Sequence, residues 1–305
     1  MSDSKGLIFH IIHGSFVDGH GVRTTVFLKG CPLACLWCCN IEGQAAYPEL
    51  KFTAGNCNGC GRCLSVCAVG AITKGEAEGA PVRIDRTKCT NCLECTEVCH
   101  TEALDVFGKY YTVDELFAQI KNDAPFYRST GGGVTIGGGE PSFQSEFTLA
   151  FLKKCRENFI HTAVDTCGYT QNREGLRVLE EADLVLFDLK GLDPDAHLRN
   201  TGVPNDIILS NLEHLDKMRK PVIVRVPLIP GLNDSDESVE RLAKYLSGIR
   251  CVERIDLMTY HEYGKMKYEQ LGKEYSIDCE KPSEARRQQL LKVFKSYSLN
   301  AQLGG

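Results

Sequence analysis

Eleven of the sixteen cysteines in this 305-residue chain fall into three spaced sets. Two are runs of four: Cys57-x2-Cys60-x2-Cys63-x3-Cys67 and Cys89-x2-Cys92-x2-Cys95-x3-Cys99. The third is a shorter loop, Cys31-x3-Cys35-x2-Cys38. Four thiolates complete an iron–sulfur cubane, whereas three leave one iron open to an outside molecule. The spacing therefore predicts two electron-carrying clusters and one that does chemistry.

Other uses of cysteine fit less well. Disulfide scaffolds are short and secreted, and the opening MSDSKGLIF has no signal-peptide profile. Zinc sites use two close pairs, whereas the 2-2-3 spacing is that of two-cluster ferredoxins. Zinc stays open as the alternative for the three-cysteine loop judged alone. In the ferredoxin pattern the fourth cysteine of each run ligates the other cluster. Cys67 then joins Cys89, Cys92 and Cys95, and Cys99 joins Cys57, Cys60 and Cys63. Ala68 and His100 follow these fourth cysteines in place of the usual proline, which leaves a less rigid turn. The segment is an internal repeat that reads as an insert over residues 53–105, between stretches 1–52 and 106–305 of a larger domain.

The net charge of −5 gives no bulk attraction to nucleic acid or to an anionic membrane. No apolar run reaches the roughly 18 residues of a membrane span. So many unpaired thiols indicate a reducing cytoplasm, and an open cluster iron indicates low oxygen.

Outside the insert, strand-like and helix-like segments alternate. RTTVFLKG (Arg23 to Gly30), GVTIGG (Gly133 to Gly138), HTAVDT (His161 to Thr166), DLVLFDLK (Asp183 to Lys190), VIVRVPLI (Val222 to Ile229) and RIDLMTY (Arg254 to Tyr260) have the apolar character of parallel strands covered on both faces. Helical periodicity lies between them, and Thr112 with Glu115 forms a capping box. The fold class is α/β, with six β/α repeats giving an open sheet or a partial barrel of the TIM type.

Active sites of parallel α/β folds form at the carboxyl ends of the strands. Six unusual motifs lie there: the three-cysteine loop, GGGEP (Gly137 to Pro141), DTCG (Asp165 to Gly168), DLK (Asp188 to Lys190), RVPLIPG (Arg225 to Gly231) and TYHEYG (Thr259 to Gly264). Singly, each has a plain alternative. The glycines read as a tight turn, Asp165 as a helix N-cap, Asp188 with Lys190 as a surface ion pair, and His261 as a bonded loop histidine. Trp37, the only tryptophan, reads as core or as an aromatic contact to a ligand. Their shared location favours one site.

A C-x3-C-x-aromatic-C loop after the first strand, followed by a Gly-Gly-Glu-Pro turn, resembles the radical S-adenosylmethionine (SAM) enzymes. FVDGHGVRTTVFLKGCPLACLWCCN, DTCGY, DLVLFDLKG, LIPGLND and YHEYGKMKYEQLGKEY narrow the resemblance to the activating enzymes of glycyl radical enzymes. The two-cluster insert is similar to that of the larger activases, such as those of glycerol dehydratase, choline lyase, benzylsuccinate synthase and arylacetate decarboxylases. The resemblance implies reductive cleavage of SAM to a 5′-deoxyadenosyl radical, which takes hydrogen from a glycine of a partner enzyme. It implies three [4Fe-4S] clusters, a flavodoxin or ferredoxin as electron donor, and a monomer.

The same resemblance implies roles for residues. Cys31, Cys35 and Cys38 match the catalytic cluster ligands. Trp37 matches the aromatic residue beside adenine, and Asn40 the asparagine after the loop. Gly138, Gly139 and Glu140 match the turn that meets the methionine amine. Asp188, Lys190 and His261 match positions around SAM, and Arg225 an arginine of the pocket. Asp165 and Asp188 match ligands of a monovalent cation, with backbone carbonyls of Thr166 and Phe187. Departures are His20 where the family has proline, and Gly137 where it has serine. Cys39 reads as a small buried residue, and Cys155, Cys167, Cys251 and Cys279 receive no role. Two other functions remain: a radical SAM enzyme acting directly on a small molecule or peptide, and an electron carrier. The carrier leaves the three-cysteine loop unexplained. The partner leans towards the benzylsuccinate synthase and arylacetate decarboxylase type.

Overall fold

A computed structural model describes residues 4–304. The chain opens with β1 (Lys5–Ser15) and β2 (Arg23–Leu28), followed by the three-cysteine loop. Around and within residues 53–105 come β3 (Glu49–Phe52), α1 (Arg62–Val66), β4 (Ile72–Thr73), β5 (Arg83–Ile84), α2 (Glu94–Glu97) and β6 (Leu104–Phe107). Next come β7 (Lys109–Thr112), α3 (Val113–Ile120), α4 (Ala124–Thr130), β8 (Gly133–Gly138), α5 (Ser145–Glu157), β9 (His161–Thr166), α6 (Arg173–Glu181) and β10 (Leu184–Asp188). The chain continues through α7 (Pro194–Thr201), α8 (Asp206–Met218), β11 (Val222–Leu228), α9 (Asp236–Leu246), β12 (Val252–Thr259), α10 (Lys265–Leu271), α11 (Glu284–Ser296) and β13 (Ala301–Leu303).

One sheet has the order β13-β12-β11-β10-β9-β8-β2-β1-β7. The six anticipated strands are its parallel centre, with ends shifted by no more than two residues. Their apolar residues pack against the helices in one large core that includes Val26, Ile136, Val164, Val224 and Leu257. The capping box forms as expected, with Thr112 Oγ1 accepting from the Glu115 N–H and the Glu115 carboxylate accepting from the Thr112 N–H. Three strands of this sheet were not anticipated. β1 and β7 pair antiparallel on one edge, and β13 pairs parallel with β12 on the other. Histidines and glycines interrupt the apolar pattern of β1, and β13 is too short to show one.

The parallel sheet curls. Five spacings of about 4.8 Å would put β2 and β12 about 24 Å apart in a flat sheet. Yet residues following these two strands touch: Tyr268 Oη lies 3.0 Å from the Cys38 carbonyl oxygen. At the opposite end, His20 Nε2 lies 3.2 Å from Glu253 Oε2. This is a partial barrel, closed at its rims by side chains. Its floor is polar. Arg23 is fully buried, and its guanidinium donates to Thr135 Oγ1, the Val134 carbonyl and the His20 carbonyl. Burial pushes the Arg23 pKa down to about 10.

The insert stands on an antiparallel stem of β3, which ends just before position 53, and β6, which includes position 105. Its small core joins Leu50, Ile72, Val82 and Leu104 to Cys63 and Cys95. The repeat extends to the backbone. Gly59 and Gly61 in the first run have positive φ, as do Asn91 and Leu93 at the equivalent places in the second. Among the described residues, no helix is long and apolar enough to cross a membrane.

Candidate active site

Loops from six strand ends border a cavity of about 300 Å³, the size of a small-molecule site. Cys31, Cys35, Trp37, Cys38, Asn40, Gly138, Gly139, Asp165, Asp188, Lys190, Arg225 and His261 all line it. Glu140 does not.

The cysteine loop follows β2 and is held by the last turn of α7. The Ala34 N–H donates to the Thr201 carbonyl at 2.7 Å, and that of Leu36 to the Asn200 carbonyl at 3.0 Å. These are helix-end carbonyls without intrahelical partners. Burial pushes the Cys35 thiol up to about 12 and that of Cys38 up as well. Iron supplies the positive charge that favours thiolate at such places. Three thiolates with no fourth ligand in the loop suit a cubane with one open iron.

The glycine turn follows β8. Gly138 has φ +97°, and a side chain there would strike the Leu28 N–H and Phe27 Cα, each at 2.7 Å. A side chain on Gly139 would meet the Gly30 carbonyl at 2.4 Å. Glycine thus lets the turn press against the start of the cysteine loop. Glu140 is fully buried, and its carboxylate accepts from Ser142 N–H and Oγ, Thr166 Oγ1 and the Cys167 N–H. The carboxylate ties the turn after β8 to the one after β9. At Gly137 a Cβ would come within 2.9 Å of Asp165 Cβ, so the missing serine leaves room for Asp165.

Charge is concentrated on the far wall. Lys190 Nζ donates to Asp188 Oδ2 at 2.6 Å. Burial opposes the Lys190 charge, but the Asp188 carboxylate together with the nearby Cys35 and Cys167 outweighs it and holds the pKa well above the ordinary range. Arg225 donates to Asp165 Oδ2 at 2.8 Å, to Asp18 Oδ1 at 3.1 Å and to the Val17 carbonyl at 2.7 Å. Burial pushes Asp165 up to about 7 against the pull of Arg225, with Asp188 adding to the rise. Burial acts on Asp18 too, but Arg225 and the hydroxyls of Ser15 and Thr25 hold it below its usual value.

Asn40 Oδ1 accepts from Lys267 Nζ at 3.1 Å. His261 stacks on Tyr263 with centroids 4.5 Å apart, and burial with the nearby Lys281 charge holds its pKa low. Cys39 is exposed on the cavity wall, which corrects its reading as a buried small residue.

In the insert, Cys57, Cys60, Cys63 and Cys99 line a separate hollow with Val82 and Val98. Both fourth cysteines accept backbone bonds at sulfur: Cys67 from the Ala71 N–H at 3.2 Å and Cys99 from the Leu104 N–H at 3.3 Å. These eight thiols, with Cys67, Cys89, Cys92 and Cys95 completing the set, have the donor chemistry of two cubanes.

Sequence reasoning gave no role to Asp18, Cys167, Lys267 or Tyr268. Asp18 and Cys167 line the cavity, and the other two touch the cysteine loop. All four lie in motifs already singled out. Only their long-range partners distinguish them.

A profile of the radical SAM superfamily matches residues 88–245, and a 4Fe-4S dicluster domain matches residues 56–103. The choline trimethylamine-lyase activating enzyme of Oleidesulfovibrio alaskensis is 41% identical, over 91% of this chain and 91% of that protein. The benzylsuccinate synthase activating enzyme of Thauera aromatica is 39% identical over 98% and 92%. The trans-4-hydroxy-L-proline dehydratase activating enzyme of Clostridioides difficile is 36% identical over 98% and 99%. Among solved structures, Streptococcus suis SuiB bound to precursor peptide SuiA matches with a TM-score of 0.51 at 17% identity, over 65% of this chain and 43% of that one. That likeness concerns the fold alone.

Proposed function

The chain belongs to the radical SAM activating enzymes of glycyl radical enzymes, and from that membership we propose the roles of its parts. It is an oxidoreductase that cleaves SAM reductively and uses the 5′-deoxyadenosyl radical to take hydrogen from a glycine of a partner enzyme. When bound, the clusters supply the electron and an open iron for the amino and carboxylate groups of methionine.

The observation that supports the residue roles is convergence. Cysteines after β2, glycines after β8 and charged groups at the ends of β9, β10 and β11 border one cavity. Cys31, Cys35 and Cys38 hold the catalytic cluster, with one iron open. Lys190 balances the SAM carboxylate, because that charge would be costly to bury unpaired. Asp165 and Asp188, already paired with Arg225 and Lys190, are the ligands of a monovalent cation beside it. Trp37, Asn40 and His261 position the nucleoside, and the backbone of Gly138 and Gly139 lets the methionine end approach.

Residues 53–105 form the insert domain and the flanking stretches the barrel. The insert holds two further four-iron clusters with exchanged fourth ligands, Cys99 beside Cys57, Cys60 and Cys63, and Cys67 beside Cys89, Cys92 and Cys95. They pass electrons from a flavodoxin- or ferredoxin-type donor. The protein acts as a monomer in a reducing cytoplasm, and its macromolecular substrate is a glycyl radical enzyme. Electron spin resonance tests this. Reduced protein with SAM should give a glycyl radical signal only when a cognate glycyl radical enzyme is present. Turnover of SAM on a small molecule, with no protein radical, would contradict it.

A further inference from the structure

We propose that Lys267 and Tyr268, on α10, are positioning residues for the catalytic cysteine loop, and that the insert sets where they stand. The proposal deepens the activase reading and rests on it for the identity of the cluster at Cys31, Cys35 and Cys38.

Two consecutive residues of α10 hold three consecutive residues of the loop. Tyr268 is 6% exposed, and its hydroxyl donates to the Cys38 carbonyl at 3.0 Å. Lys267 Nζ donates to the Cys39 carbonyl at 3.2 Å and to Asn40 Oδ1 at 3.1 Å, and pairs with Glu42 at 2.5 Å. Gly264, just before the helix, permits this approach, since a Cβ there would lie 2.8 Å from Cys39 Cα.

The C-terminal end of α10 is held by the insert and its stem. Arg86 donates to the Gln270 carbonyl at 2.8 Å and to the Leu50 carbonyl at 2.7 Å. Gln270 Nε2 donates to Thr53 Oγ1 at 3.1 Å. Lys273 pairs with Glu49 at 3.3 Å, and the other oxygen of Glu49 meets Lys29, wholly buried at the end of β2, at 2.9 Å. The Tyr268 ring also packs with Ile41, Tyr275 and Phe107, the last from the stem strand β6. Insert, stem and catalytic loop therefore grip one helix.

The consequence is electronic as well as mechanical. Cluster potentials follow nearby charge and hydrogen bonding, and ligand geometry follows the groups behind the ligands. A lysine cation beside Cys39 and a hydroxyl bond on the Cys38 peptide both favour the more negative, reduced cluster. Removing either makes reduction harder.

The test uses the full chain, reconstituted anaerobically and reduced with dithionite. The signal that changes on adding SAM identifies the catalytic cluster. Tyr268→Phe, Lys267→Met and Arg86→Met are each expected to keep the parent iron content. Each should alter that signal and move its potential to more negative values, and Tyr268→Phe and Lys267→Met should leave the SAM-insensitive signals unchanged, whereas Arg86→Met, whose charge lies near Cys89 and Cys95, also shifts an insert signal. Parent signal and potential in both Tyr268→Phe and Lys267→Met would overturn the positioning role. Parent values in Arg86→Met alone would overturn the control by the insert. If Arg86→Met loses iron, Gln270→Ala, which breaks the Thr53 bond without touching a cysteine run, is read by the same two outcomes. No partner enzyme is needed. A parent protein that forms no glycyl radical but keeps the SAM-responsive signal would sink the activase reading and leave this one standing.

Discussion

Arg225 on β11 reaches past β10 to Asp165 on β9, with 2.8 Å between Nη1 and Oδ2. The same guanidinium holds Asp18 at 3.1 Å, so one buried cation fixes the hairpin loop before β2 against the far wall of the cavity.

Arg225→Met should destabilise the fold by about 3–5 kcal/mol, because it leaves buried carboxylates without their partner. The loss should be larger at pH 8 than at pH 6. Burial already raises the Asp165 pKa to about 7 from 3.8. The stability linked to a raised carboxyl is complete below its unfolded pKa and lost as pH rises through the folded one. Without Arg225 that pKa rises further, so the penalty grows in alkaline solution. Urea unfolding at the two pH values measures this, and equal midpoints for variant and parent would refute it.

Lys190→Ala should weaken SAM binding by roughly thirty-fold or more, the scale for truncating one partner of a buried charge pair. Iron content and the visible absorbance of the clusters should stay at the parent values. Equilibrium binding of SAM to the reconstituted protein decides this, and parent affinity would make Lys190 a simple ion pair of Asp188.

His197 should make the fold acid-sensitive. It is 3% exposed, its Nδ1 bonds to the Val203 carbonyl at 2.8 Å, and its Nε2 is buried with no partner among the described residues. Burial, with the Lys190 charge nearby, lowers its pKa. A lowered histidine contributes stability above its unfolded pKa of about 6.5, and that stability is lost as pH falls below it. His197→Asn keeps a donor for Val203 and removes the titration. Between pH 7.5 and 5.5 the parent should lose up to about 1.4 kcal/mol per pH unit more than the variant. Parallel melting curves would rule this out.

Much of this architecture is legible locally. A strand buried on both faces needs a nearly unbroken apolar run, so Gly133–Gly138 and His161–Thr166 carry their own boundaries. The cysteine sets are legible because cluster ligation fixes spacing. β1 escapes because its pairing with β2 and β7, rather than its own pattern, makes it a strand. Within the site, Asp165, Lys190 and His261 could be placed by their position after strands. The direction of a side chain could not. Glu140 sits in the motif that predicts cavity contact, yet Thr166 and the Cys167 N–H, some 26 residues on, capture its carboxylate. Tyr268 and Lys267 show the converse, since a partner some 230 residues away gives them their role.

The most direct measurement follows one hydrogen atom. A cognate glycyl radical enzyme would be prepared with deuterium at its glycine α-carbons and incubated with the reduced, reconstituted protein and SAM. The predicted result is 5′-deoxyadenosine that carries deuterium, formed in step with a glycyl radical signal. Both should vanish when Cys31, Cys35 and Cys38 are replaced by alanine. Unlabelled 5′-deoxyadenosine with no protein radical, or labelled product that survives the triple replacement, would contradict hydrogen abstraction from a partner glycine at this cluster.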